Sequence, residues 1–373
     1  MKKSFADILS GIDERRDKKI AAKLPEWAAA GSLQIPSSLA LEQCSSTATA
    51  LYKAKILRRE TDGIPGPVVC DITGGLGVDS WAFSRVAGKV FYYERNAELA
   101  AAVASNYEIL RINNVVINNE SVDAATGLPC CDLIFADPAR RSDTGNKVFL
   151  LEDCTPDILQ LLPRFRQHCS TILLKLSPMA DISMLSKRLG PECSEIHTVG
   201  LDGECKEVLC LLKKDFTGPC LITVASLDTG GRLSFHPEEE REAVPHYKSP
   251  TPGDILFEPS AALMKAGCFR LICSRFGMDK LSPSTNLYTT GEVPADLAAL
   301  GKSYKVLEVL PFSNASIKDA GRRYPRAEVT ARGIPLSSDE LRKKMGVRSG
   351  SDAHIFGCTA TDSRILVICQ AAR

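Results

Sequence analysis

Apolar residues change their spacing along this chain, and the changes divide it into segments. Over residues 1 to about 60 they recur at helical intervals with charges between them, as at Ile8, Leu9 and Ile12. The stretch "CSSTATALYKAKILRRE" predicts a capped helix, with serine and threonine at its start and Ala50, Leu51, Ala54 and Leu57 along one face. "TDGIPGP" (61–67) interrupts this with the glycines and prolines of a turn.

From Val68 the pattern becomes strand and helix in alternation. "VVCDI", "KVFYYE", "VVIN", "DLIFADP" and "TILLKLSP" are short apolar runs, the signature of strands buried on both faces in a parallel sheet. Between them "VDSWAFSRVA", "NAELAAAVASNYEIL" and "TPDILQLLPRF" have helical periodicity. "EVLCLLKK" and "CLITVASL", separated by "DFTGP", predict a closing hairpin at the sheet edge. The reading is a doubly wound α/β sheet over 62–228, preceded by an N-terminal helical region over 1–61.

The proline-broken polar stretch 229–252 predicts a linker, with small α+β domains beyond it. "DILFEP" and "NLYTT" predict strands on either side of one helix, "AALMKAGCFRLICSRF", in a module over 253–297. After a break near Pro294, "YKVLEVLP", "RAEVTAR", "HIFGCTAT" and "RILVICQ" predict strands, with helices at "SIKDAGRR" and "SDELRKKM", in a last domain over 298–373. No internal repeat or low-complexity segment interrupts the chain.

Composition narrows the function classes. The 373 residues are 44% hydrophobic and 24% charged, with a formal net charge of +1, so any affinity for nucleic acid must come from a local patch. Fourteen cysteines contain no C-x-x-C and the five histidines lie far apart, so no metal site is expected and a reducing compartment is. The charged start and the lack of a long apolar run predict no secretory leader, no membrane partner and a cytoplasmic location.

The candidate chemistry begins at "VVCDITGGLGVDSWAF". Asp71 ends a strand, and Thr73, Gly75 and Gly77 follow at two-residue steps. Glycine there admits positive φ and lets backbone N–H groups approach a ligand. A dinucleotide turn would read G-x-G-x-x-G, and Ser80 stands where the third glycine belongs. A carboxylate at the start of the turn would repel a diphosphate but accept a ligand with an ammonium group, such as S-adenosylmethionine. Glu94 ends the second strand and is the acid expected to meet ribose hydroxyls. Glu120 stands at the end of the third as a candidate acceptor for an adenine amine, with Asp123 at a nearly equivalent position. Acids at successive strand ends line the edge where open α/β sheets bind ligands.

With these residues the chain resembles the class I S-adenosylmethionine-dependent methyltransferases over roughly residues 65–228, implying a Rossmann-like methyltransferase sheet. Asp71, Thr73, Gly75 and Gly77 match the first motif of that family, with threonine in place of its usual first glycine. Glu94 matches its ribose acid and Glu120 its adenine acid. Gly74 and Ser121 complete the cofactor-binding set that the resemblance implies. "DLIFADPARR" occupies the place of the fourth-strand motif, Asn/Asp-Pro-Pro-aromatic in enzymes that methylate exocyclic base amines. There the acid and a backbone carbonyl hold the amine with its lone pair aimed at the methyl group, and the aromatic stacks on the base.

Asp137 and Pro138 are kept, alanine stands for the second proline and Arg140 for the aromatic. A guanidinium plane also stacks on a base or holds a phosphate, so Asp137, Pro138 and Arg140 are the candidate catalytic set and Arg141 a substrate contact. "LKLSP" (174–178) lacks the cysteine that covalent pyrimidine methylation needs. Lys175 and Ser177 are candidate substrate contacts beside it, with Lys175 equally readable as a snorkelling strand residue.

Between Lys318 and Arg348 nine lysines and arginines face four acids, a local excess of five, which suits RNA. "AEVTARGIP" and "SSDELRKKM" resemble the THUMP-like domain of a bacterial methyltransferase group, and THUMP domains bind RNA. "DILFEPSAALMKAG" resembles the ferredoxin-like module of the same group, whose core is similar to trimethylguanosine synthases. The expected function is direct methyl transfer from S-adenosylmethionine to a base nitrogen in RNA, a tRNA or rRNA. The alternatives are an RNA-binding protein with an inactive methyltransferase core, or a methyltransferase acting on a protein or small molecule.

Overall fold

The computed structural model describes residues 16–31, 33–140, 151 and 154–372. They fall into two units, one formed by the chain up to 195 with 208–218, the other by 196–207 with everything from 219.

In the first unit the apolar runs become β1 (Val68–Asp71), β2 (Lys89–Tyr93), β3 (Val115–Asn118), β4 (Leu133–Ala136) and β7 (Thr171–Leu176). They pair in parallel in the order β7-β4-β1-β2-β3. β9 (Glu204–Lys213) runs antiparallel to β7, from Thr171 opposite Lys213 to Leu176 opposite Val208. The chain goes from β1 outward to β2 and β3, then returns across β1 to β4. A crevice therefore opens beyond the carboxyl ends of β1 and β4, where the connections part. A two-stranded ladder, β5 (Ala139–Arg140) against β6 (Cys154–Thr155), follows β4.

The predicted N-terminal helices belong to this same unit. Ser46 and Thr49 form a reciprocal capping box at the start of the helix Thr47–Glu60. Trp27, on the helix Pro25–Ala30, meets Trp81 edge-to-face at 6.2 Å and so packs on the helix Val78–Ser84 that follows the glycine turn.

In the second unit, β10 (Leu221–Ser226) pairs antiparallel with β11 (Arg232–Phe235). The closing hairpin differs from the expected one. β8 (Cys193–Leu201) lies between β9 and β10, so these two strands are not partners. Polar Ser194, His197 and Thr198 are buried in β8 and hid it from an apolar-run reading. The expected linker 229–252 carries β11 and the helix Pro237–Glu242. The single expected helix over 261–276 is two, Ala261–Ala266 and Leu271–Phe276, because Gly267 turns left-handed at φ 77°.

The remaining strands form one seven-stranded sheet. They are β12 (Ile255–Pro259), β13 (Asp279–Ser282), β14 (Thr285–Thr290), β15 (Gly301–Pro311), β16 (Arg326–Arg332), β17 (Arg348–Ala360) and β18 (Ser363–Ala371), in the order β13-β14-β12-β15-β18-β17-β16. Leu256, Leu287, Val306, Phe356 and Val367 make a core on one face. Ile355, Leu366 and Ile368 make another with Ile317 and Leu341 from the helices Asn314–Arg323 and Ser338–Met345.

Candidate active site

The glycine turn bends as its sequence demands. Gly75 and Gly77 have φ of 54° and 79°, and Gly77 is the left-handed cap of the helix Val78–Ser84. Gly74 is required for space, since a Cβ there would lie 2.0 Å from the Tyr92 ring. The Tyr92 hydroxyl donates to the Gly75 carbonyl at 2.6 Å, and the Tyr107 hydroxyl donates to that of Gly77 at 2.6 Å. Two phenols from below thus fix the path of the turn.

Asp71 does not stand open at this bend. It is fully buried: Oδ1 accepts from the Thr73 N–H at 3.1 Å, and Oδ2 from the Ser80 hydroxyl at 2.6 Å. Burial pushes its carboxyl up to about 7, reinforced by nearby Asp79 and Asp137 and opposed by the Ser80 and Thr73 bonds. The sequence pattern predicts that Asp71 faces a ligand's ammonium. In the structure Asp71 ties the first turn of the helix to the end of β1.

Beside it lies a cluster the sequence reading missed. Lys53 is fully buried, and its Nζ lies 3.1 Å from Asp79 Oδ1 and 3.2 Å from the Ser45 hydroxyl, which donates to Asp79 Oδ2 at 2.7 Å. The helix Thr47–Glu60 is thereby pinned to the first turn of the helix that carries the glycine loop.

At the end of β2, Glu94 accepts from the Gly75 N–H at 2.9 Å and the Asn96 N–H at 2.7 Å, which aims its carboxylate along the turn. The two acids after β3 separate clearly. Asp123 Oδ1 accepts from the N–H groups of Ala125 and Thr126 at 2.7 and 3.0 Å, so it caps its own loop, and its carboxyl is held low chiefly by the Ala125 bond. Glu120 is exposed and has no hydrogen-bond partner among the described residues. Ser121 is exposed too, and its carbonyl accepts from the Thr126 hydroxyl at 3.2 Å.

After β4 the backbone N–H of Asp137 donates to Thr73 Oγ1 at 2.6 Å, joining this loop to the glycine turn. The Asp137 carboxylate is paired with the ammonium of Lys175 from β7, whose side chain is 13% exposed against 35% for Asp137. Lys175 is therefore drawn into the site rather than out to solvent. Pro138 is buried behind Asp137. Arg140 lies in β5, and Arg141 falls outside the described residues. The Ser177 hydroxyl accepts from the Met179 N–H at 3.2 Å, a local turn at the rim.

Residues 301–371 match the family described as THUMP domain-like and 256–297 the one described as a ferredoxin-like domain. Among curated proteins, none matches the chain. A protein of Porphyromonas gingivalis W83, provisionally designated a methyltransferase, has a crystal structure similar to this one at a TM-score of 0.85. It is 33% identical, over 96% of this chain and 88% of that one. The chain belongs to that methyltransferase family.

More distant solved structures overlap it in part. The T. thermophilus 16S rRNA N2 G1207 methyltransferase, in complex with AdoMet and guanosine, is 16% identical over 46% of this chain and 44% of its own, at a TM-score of 0.35. A Pyrococcus horikoshii protein provisionally named an RNA methyltransferase is 18% identical over 54% of this chain and 98% of its own, at 0.36. At those scores neither bears on this chain's substrate.

S-Adenosylmethionine is the methyl donor that the class I resemblance implies, and the methyltransferase's residues fit it. Gly74 leaves the floor of the turn without a side chain over Tyr92. Each Glu94 oxygen accepts one backbone bond and keeps a lone pair for ribose hydroxyls. Glu120 is free to accept from an adenine amine. Asp71 holds the turn from behind.

Proposed function

We propose that this methyltransferase transfers a methyl group from S-adenosylmethionine to a nitrogen of an RNA base by direct displacement. The observation that carries the reading is the 2.6 Å bond from the Asp137 N–H to Thr73 Oγ1, which ties the loop for the acceptor to the loop for the donor. When bound, the cofactor supplies an electrophilic methyl carbon on a sulfonium. Glu94, Glu120, Ser121 and the turn Gly74–Gly75–Gly77 hold it, with Thr73 bridging to the acceptor side.

Asp137 accepts a hydrogen bond from the base nitrogen, and the paired ammonium of Lys175 fixes the carboxylate's orientation. Pro138 stiffens the loop, and Arg140 with Arg141 and Ser177 completes the contacts to the substrate. Alignment and exclusion of water carry most of the rate. Proton removal follows methylation and needs no strong base.

The RNA class is supported by the THUMP-like match and by the distribution of charge. Arg322, Arg323, Arg332 and Arg342 are engaged in ion pairs. Arg326 and Arg348, partners across β16 and β17, are exposed and have no ion-pair partner among the described residues, like Lys343 and Lys344. The test is tritium transfer from labelled cofactor into RNA from a strain lacking this protein. Asp137→Ala should lower turnover about 100-fold, with cofactor affinity by calorimetry little changed. Unaltered turnover would remove Asp137 from the mechanism, and absence of any label in RNA would end the RNA reading.

A further inference from the structure

The second unit contains a cleft that the methyl-transfer site does not use. It is open to solvent, has a volume of about 430 Å³ and is lined by Arg241, Tyr247, Phe269, Arg270 and Lys280 together with Glu240 and two prolines. None of these residues falls in the segment that matches the THUMP-like family. We propose that this cleft grips one nucleotide of a single-stranded RNA segment, with the base on Tyr247 and the phosphate against Arg270 and Lys280; it rests on the RNA reading above.

Its charges are arranged for an anion. Lys280 is only 5% exposed; its ammonium donates to the Pro283 carbonyl at 2.9 Å and sits 5.9 Å from the centre of the Phe269 ring. It has no carboxylate in ion-pair range among the described residues. Burial lowers its pKa, opposed by the nearby Cys273 and Glu240 and assisted by the Arg270 charge. Glu240, the acid of the lining, is already committed. Its oxygens accept from the N–H groups of Phe269, Arg270 and Leu271 at 2.8 to 3.0 Å, so it shapes the loop that carries Arg270. The Arg270 guanidinium has no partner among the described residues. Arg241 is held by Glu238 at 2.9 Å in an exposed pair that yields easily to a phosphate.

The aromatic surface is arranged for a base. Tyr247 is 43% exposed, and its ring makes no hydrogen bond or ring contact among the described residues. Its backbone is held. The Lys280 N–H donates to the His246 carbonyl at 2.8 Å, and the Lys248 N–H to that of Lys280 at 3.1 Å, so Tyr247 is bridged to Lys280. An exposed ring on a bridged backbone, beside cations without an ion-pair partner among the described residues, matches the joint demand of a stacked base and its phosphate.

The experiment uses the full chain and a fluorescein-labelled oligoadenylate of about 12 nucleotides, a length spanning one such site, read by anisotropy over a salt series. Tyr247→Ala should weaken binding about tenfold and Tyr247→Phe hardly at all, since only the ring is needed. Arg270→Glu should weaken it and reduce the slope of log K against log salt by about one. Amide exchange at Leu256 and Phe257, in the same unit as the cleft, should stay at the wild-type rate in all three, showing that this unit remains folded. Wild-type oligonucleotide affinity in both Tyr247→Ala and Arg270→Glu overturns the assignment, even while tritium transfer into RNA persists. Competition by free AMP at the oligonucleotide's own concentration also overturns it, pointing to a mononucleotide site. Failure of tritium transfer with these effects intact would sink the methylation reading and leave the cleft.

Discussion

Asp71 shows what burial does to one carboxyl group. Its ordinary value of 3.8 rises to about 7 in the folded chain, which therefore holds this proton over a range where the unfolded chain has lost it. The stability contributed by the group is complete below its unfolded value and is lost as pH rises through about 7. Asparagine can accept from the Thr73 N–H and donate to the Ser80 hydroxyl, so Asp71→Asn keeps both bonds without the titration. The urea midpoint of the wild type is expected to fall more steeply than that of Asp71→Asn between pH 4 and pH 8, at roughly 1.4 kcal/mol per unit of displaced pKa. Parallel profiles would mean that Asp71 titrates normally. Gly74 makes the opposite point about one residue: its role depends on Tyr92, eighteen positions on, so the two-residue spacing of Thr73, Gly75 and Gly77 passes over it.

At the level of elements, the Lys53–Asp79 pair joins two helices through charges with almost no access to water. Removing one partner from such a pair strands the other and costs about 3–5 kcal/mol, whereas apolar replacement of both is often neutral. Lys53→Met should therefore lower urea stability by that order, and Lys53→Met with Asp79→Leu should recover most of it. Equal stability of the single and double variants would deny the coupling. The glycine turn was legible because its chemistry is local: an apolar strand, an acid, then glycines. Lys53 was not, although it stands at i+3 from Ala50 and i−4 from Leu57, inside the apolar stripe of its helix. A charge within such a stripe is the signal that could have revealed it. The bond of Thr73 to Asp137 and the pairing of Asp137 with Lys175 bring together strand ends far apart in the chain, which no spacing rule reports. β8 was missed for a related reason, its buried serine, histidine and threonine reading as surface.

At the scale of the whole molecule, the sheet of the second unit ignores the boundary that the sequence pattern suggests near residue 298. β12, from the ferredoxin-like match, is flanked by β14 on one side and by β15, from the THUMP-like match, on the other: Leu256 lies opposite both Thr289 and Tyr304. Leu256, Leu281 and Leu287 also share a core with Val306, Phe356 and Val367. Two family matches thus describe one hydrogen-bonded sheet. Deleting residues 301–371 would leave β12 an unprotected edge and open that core to water. In such a shortened chain, amide exchange at Leu256 and Phe257 should accelerate by orders of magnitude relative to the full chain, while amides of β1 and β4 in the first unit keep their protection. Loss of RNA binding on truncation would then reflect a collapsed sheet, and charge reversals at exposed Arg326 or Arg348 would be the informative changes. Unchanged exchange at Leu256 after the deletion would show instead that residues 256–297 stand as an independent module.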